Sequence, residues 1–225
     1  ALNIYFFYSL FANFDKIKKN FEDFMIFGGI IISSLILFFS IGQVSFLDIF
    51  LNVISSMSNS GISSYDPPKN FYLFFLFLTI IGGSLISNSA GIKFIRIYIL
   101  FKSTILELFK LVTPNIIIDQ RIMNTEFKIN NTNLNSSFLV FICFFISIFI
   151  LSSILSVENL SFENSFKLSI LTITNTVNSS LYGLDEINFL NLLTSSKVAI
   201  ILFMVLGKIE LLSVLLIIKK AISRN

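Results

Sequence analysis

Four stretches of this chain are too long and too apolar for a soluble fold to hide easily: residues 24–42, 71–101, 138–157 and 198–218. Each approaches or exceeds the ~20 apolar residues that cross a hydrocarbon core ~30 Å thick. Lipid offers the backbone no hydrogen bonds, so every N–H and C=O must be satisfied inside the protein. Runs of continuous rather than alternating hydrophobicity meet that demand as helices. The fold class implied is an all-α membrane protein. Composition agrees: 55% of residues are hydrophobic and 13% charged, against ~25% charged in an average soluble domain.

The second stretch is broken in its middle. "IGGSLISNSAGIKFIR", residues 81–96, sets Gly82-Gly83, then Ser84, Ser87, Asn88 and Ser89, then Gly91, between apolar flanks, and follows them with Lys93 and Arg96. A plain structural span has no use for this. A path for something polar does, because non-helical backbone survives at membrane depth only where it is buried in protein or lines water.

The chain has no histidine and a single cysteine, Cys143, inside an apolar segment. Histidine metal sites, histidine general bases and a disulfide framework are excluded, and no enzymatic constellation is present. The net charge of +3 matters less than its placement. Lys16, Lys18, Lys19, Arg96, Lys102, Lys110, Arg121, Lys128, Lys219, Lys220 and Arg224 fall in or beside the N-terminal linker, the 93–133 region and the C-terminus. The positive-inside rule puts these on the cytoplasmic side. The other connections carry Asp48, Asp66, Glu158, Glu163, Asp185 and Glu186 against Lys69, Lys167 and Lys197. The basic clusters therefore report topology, not nucleic acid. The opening "ALNIYFFYSLF" reads as the end of an apolar helix, so a fragment or an incomplete reading frame is expected. The Ile-, Phe-, Asn- and Lys-rich composition is that of an AT-rich genome.

The chain repeats one plan. After the charged connection 13–23 and the span 24–42, residues 46–57 form an amphipathic stretch of about three helical turns, too short to cross. "SNSGISS" follows, then the aqueous turn "YDPPKN", where Pro67 and Pro68 end any helix. In the second half, 138–157 crosses, "SFENSFKLSILTIT" matches "SFLDIFLNVISSMS", "NTVNSSLYG" supplies a second small polar run, and 198–218 returns. Each unit is helix, re-entrant helix, polar loop, helix. The boundaries expected are 1–20 for the end of a preceding unit and linker, 21–104 for one unit, 105–133 for a cytoplasmic linker and 134–225 for the other unit with a tail.

Two small-residue loops at matching positions can face each other around an axis. Their carbonyls then replace a cation's hydration shell, while the C-terminal ends of the short helices point negative dipoles at it. The candidate carbonyl-bearing residues are Ser58, Asn59, Ser60, Gly61 and Ile62 in one loop, and Asn175, Thr176, Val177, Asn178 and Ser179 in the other. Lys208 and Glu210 lie deep in the last apolar segment, where a charge points to a polar cavity. Plainer readings exist for each. Gly61 fits an ordinary loop, Gly82-Gly83 a close helix contact, and Lys208 and Glu210 an interfacial site.

These residues also carry a resemblance. "SNSGISSYD" followed by "IGGSLISNSAGIKFIR" resembles the third repeat of the Trk/Ktr/HKT superfamily of potassium transporters, with its T-x-T-G-F filter and a second helix broken by a small-residue loop ending G-I-K. "TNTVNSS" followed by "LFMVLGKIELLSVLLI" is similar to the fourth repeat, with its N-V-G-P-G and L-G-R-L-E patterns. The resemblance covers nearly the whole chain. It implies K⁺ uptake across the bacterial inner membrane by a multi-pass protein, with K⁺ at the carbonyls of Gly61 and Asn178. It makes Gly82, Gly83, Ser84, Ser87, Asn88, Ser89, Gly91 and Lys93 a gating loop beneath the filter, with Lys93 anchoring its cytoplasmic end. Lys208 stands where the family has an arginine in the pore. Four repeats surround one pore in the family, so two repeats make a partial channel. The missing N-terminal half must complete it. A second copy of the membrane subunit and a cytoplasmic nucleotide-binding regulatory subunit are the implied partners.

There are departures. Leu85, Ile86 and Ala90 replace small or glycine positions of the loop, and Asn178 replaces the filter glycine. Asparagine tolerates positive φ best among non-glycine residues. Matching the short helices instead sets Val177 opposite Gly61, so the register stays open by one residue. Two competing functions remain. A secondary transporter also uses broken helices, but it would place coupling acids in 82–91, which has none. A structural subunit of a membrane complex would need no second re-entrant loop.

Overall fold

The computed structural model describes residues 2–3, 6, 21–42, 44–113, 121, 129–157, 160–184, 187, 189 and 192–208. Among them the architecture is helical, with an isolated parallel bridge between Ile81 and Ile92. The helices are α1 Phe21–Ile41, α2 Phe46–Met57, α3 Tyr72–Ile80, α4 Phe94–Val112, α5 Asn131–Ser156, α6 Phe162–Ile173 and α7 Thr194–Lys208. Short 3₁₀ turns form at Lys69–Phe71, after the first polar loop, and at Ser180–Tyr182, within the second.

α1 and α5, of 21 and 26 residues, are long and apolar enough to cross a membrane. One side of α1 is buried through Ile26, Ile30 and Leu37, while Ile32, Ile36 and Phe39 on the other side are exposed. An apolar helix with an exposed apolar face suits lipid or another apolar surface, not water. Ser33 and Ser34 return their hydroxyls to the Ile30 carbonyl, so neither asks lipid for a partner.

α2 and α6 contain 12 residues each, about 18 Å of helix. Both start at a serine N-cap. Ser45 Oγ accepts from the Asp48 N–H at 3.2 Å, and Ser161 Oγ from the Asn164 N–H at 3.3 Å. α2 packs between α1 and α3, and α6 against α5, α7 and α3. One core runs through both halves: Ile49 and Val53 of α2, Phe75 of α3, Ile148 and Leu151 of α5, and Leu171 and Ile173 of α6.

Three boundaries differ from the sequence reading. The apolar stretch 71–101 is, as its broken middle implied, two helices separated by a non-helical segment, but the second, α4, continues to Val112, into the part expected as linker. Its exposed end is stabilised by a Lys110–Glu107 pair at 2.7 Å, one turn apart. α5 begins at Asn131 rather than 138, taking up the polar run "NTNLNSS". α7 begins at Thr194, and residues 209–218 of the expected last span, with Glu210, lie outside the described residues.

Candidate functional site

The turns after α2 and α6 are built alike. Ser58 N–H donates to Ile54 O, Asn59 N–H to Ser56 O and Ser60 N–H to Ser55 O. At the second turn Thr174 donates to Ile170, Asn175 to Thr172 and Thr176 to Leu171. This is the Schellman closure of a helix end, which needs one residue in the left-handed region. Asn59 (φ 59°) and Asn175 (φ 52°) fill that place. Side chains repeat the match: Ser58 Oγ donates to Ser60 Oγ at 3.3 Å, and Thr174 Oγ1 pairs with Thr176 Oγ1 at 2.8 Å.

This pattern sets Asn59 against Asn175, Gly61 against Val177 and Ile62 against Asn178. It follows the short helices, not the register that put the filter glycine at Asn178. Asn178 is not among the positive-φ residues, whereas Gly61 is, at +69°. The Asn178 amide donates instead to Leu184 O at 3.3 Å. The helix endings set this register: the left-handed residue follows each C-cap directly, at Asn59 and Asn175, which aligns Gly61 with Val177.

The two turns meet. A Cβ on Gly61 would stand 2.8 Å from the Val177 carbonyl carbon and would overlap its oxygen. The Ser180 hydroxyl donates to Ser63 at 3.1 Å, and Asn59 Nδ2 reaches Thr176 Oγ1 at 3.3 Å. Ile62 and Val177 are exposed beside this junction. Ser179 Oγ is buried with no partner among the described residues. Asn52, which sequence reasoning passed over, holds the outgoing segment. Fully buried in α2, it accepts from Ser64 N–H at 2.8 Å and donates to Tyr65 O at 3.0 Å. A lone amide on the apolar side of an amphipathic helix was the available signal.

The interrupted helix adjoins the first turn. α3 ends at Ile80. Gly82 N–H donates to Ile92 O at 2.8 Å and Ile92 N–H to Ile80 O at 3.0 Å, so the chain leaves and returns at one place. Gly91 (φ +81°) lies against the backbone, where a Cβ would be 2.8 Å from Ile80 O. Within the excursion, Gly83 N–H donates to Ser89 Oγ at 2.7 Å, and Ser87 Oγ contacts Ser84 O at 2.7 Å and Ser89 Oγ at 2.8 Å. Buried Lys93 donates through Nζ to Ser87 O at 2.6 Å and Ser89 O at 2.9 Å. Ser84 is buried, with its hydroxyl unpartnered among the described residues. The Leu85 N–H reaches Glu22 Oε1 of α1 at 3.0 Å.

A cavity of about 320 Å³ opens between this excursion and helices α5, α6 and α7. Ser87, Asn88, Ser89 and Gly91 line one side, with Lys93 and Arg96. Phe144, Ile173, Gly207 and Lys208 line the other. The structure thus brings Lys208 and the excursion to one space. No group of His, Cys, Asp or Glu able to hold a metal ion occurs among the described residues.

No protein-family model and no curated protein sequence matches this chain. The fold does match. The crystal structure of the potassium transporter TrkH from Vibrio parahaemolyticus superposes with a TM-score of 0.77, at 19% sequence identity, over 96% of this chain. This chain spans 48% of that one, and it has the fold of that part of a potassium transporter.

Proposed function

We propose that this chain is half of a monovalent-cation channel of the Trk type, carrying K⁺ into the cell across a bacterial inner membrane. The observation that supports it best is the pair of matching turns meeting at Gly61 and Val177 in a fold shared with a potassium transporter. Each turn closes a short helix whose C-terminal dipole end favours a cation. Backbone carbonyls from residues 58–62 and 175–179 are the proposed ion ligands, and Gly61 the residue that lets one turn expose them. Two such turns supply half a ring. The rest comes from a missing N-terminal half or another chain, and the exposed Ile62 and Val177 belong on the side where it docks.

The excursion 82–91 is the proposed gate, with Lys93 as its anchor. Lys208, across the cavity, contributes positive charge to the permeation path, and Glu210 is its proposed partner. A second copy of the membrane subunit and a nucleotide-binding cytoplasmic regulator complete the proposed assembly.

The test is cation flux. The complete assembly containing this chain, reconstituted in vesicles, should pass K⁺ down its gradient. Absence of monovalent-cation flux under all ionic gradients would sink the reading.

A further inference from the structure

Both left-handed asparagines do the same second job. Asn59 Nδ2 donates to Thr79 O of α3 at 2.9 Å, and Asn175 Nδ2 to Met204 O of α7 at 2.9 Å. Thr79 and Met204 occupy matching places. Each stands one turn before a closely packed glycine, in "TIIGG" and "MVLGK", where Gly82 and Gly207 correspond.

The two contacts differ in consequence. In an unbroken helix the carbonyl of residue 79 would accept from the N–H of residue 83. The helix breaks first, and Gly83 N–H goes to Ser89 Oγ. Thr79 O is therefore among the orphan carbonyls of a helix C-terminus. Asn59 supplies a donor from a different element, and the same amide nitrogen reaches Thr176 Oγ1 of the other turn at 3.3 Å.

Glycine would fill a left-handed position at no steric cost. Asparagine there buries Asn59 Oδ1 without a partner among the described residues. That cost makes sense only for the donor end of the amide.

We propose that Asn59 is a positioning residue that ties three segments together: its own turn, the turn at Thr176 and the frayed end of α3 from which the 82–91 excursion departs. Displacement of the excursion's base is then felt by both ion-facing turns. Asn175 makes the simpler version of the tie, to a carbonyl inside α7. The functional part of this inference rests on the channel reading above; the structural tie does not.

Asn59→Gly separates the two roles, because glycine keeps the backbone conformation and removes both bonds. In the complete assembly, hydrogen exchange of Asn59→Gly should quicken in peptides covering 172–178 and 80–84 as well as in 56–62. Quickening confined to 56–62 overturns the tie, whatever the protein transports. In the vesicle assay the same variant should still conduct, with its K⁺/Na⁺ permeability ratio lowered about fivefold, equivalent to ~1 kcal/mol. A ratio within about twofold of the parent, with exchange quickened at all three sites, limits Asn59 to holding structure and overturns its role in conduction. A parent that passes no cation defeats the channel reading and leaves the exchange result to decide the tie. Asn59→Asp replaces the donating amide nitrogen by an acceptor oxygen facing the Thr79 carbonyl, so above the carboxylate pH range exchange should quicken at all three sites at least as much as in the glycine variant. Parent-like exchange and selectivity in Asn59→Asp would also overturn the proposal.

Discussion

A Cβ on Gly207 would overlap the carbonyl oxygen of Ile173. The last residue of α6 and the glycine of α7 are therefore in backbone contact, and no other residue type fits without moving a helix. Gly207→Ala should destabilise the folded chain by about 1–3 kcal/mol, the usual cost of overpacking. Thermal unfolding in detergent would read it. Gly28, with nothing within 4 Å of its Cβ position, is the control: Gly28→Ala should be neutral or stabilising by up to ~1 kcal/mol.

Gly61→Ala meets two penalties. The backbone is left-handed, costing a non-glycine residue about 1–3 kcal/mol, and the Val177 backbone fills the space. The expected result is lower stability together with lost or unselective cation flux. Parent-like K⁺ selectivity in a folded Gly61→Ala protein would argue that the turn is ordinary loop.

Lys93→Met keeps the length of the side chain and removes its donors to Ser87 O and Ser89 O. Backbone amides of residues 84–90 should exchange faster, and cation leak should rise in the assembled channel. Unchanged exchange would show that the bonds among Ser84, Ser87 and Ser89 and the Leu85 bond to Glu22 hold the excursion without Lys93.

Shortening the excursion within 84–90 should raise leak without unfolding, because the bonds that close its base lie outside the deletion. A protein that assembles normally, with leak and gating identical to the parent, would make the segment purely structural.

Lys208→Gln removes a cation from the cavity wall. Conductance through the completed channel should change, because a positive charge in a low-dielectric path raises the barrier for K⁺. Identical flux and gating would place Lys208 at an interface instead.

Residues 46–57 were legible as a short helix because three signals coincide there: a serine cap, amphipathic spacing and a length too small to cross. The break at 82–91 was legible because glycine and hydroxyl residues contradict their apolar flanks. The start of α5 was not, because "NTNLNSS" reads as a loop until the Asn133 carbonyl is seen to accept the hydroxyls of Ser136 and Ser137 in the same helix. The Gly61–Val177 register was legible only as one of two alternatives, since the halves share little identity and the deciding positions are the two asparagines that end the helices. Cross-links such as Asn59 to Thr79 are invisible in sequence: an amide advertises a donor but not its acceptor.

The Ile81–Ile92 bridge closes the excursion at its neck. A rearrangement of residues 83–91 that keeps this bridge leaves the ends of α3 and α4 the same distance apart. A rearrangement there needs no rigid-body travel of any helix. It belongs to loop motions of nanoseconds to microseconds, not to the microsecond-to-millisecond class of collective helix shifts. In the channel reading proposed above, a gate hinged this way changes state quickly without moving the long apolar helices, and so without disturbing whatever surrounds them.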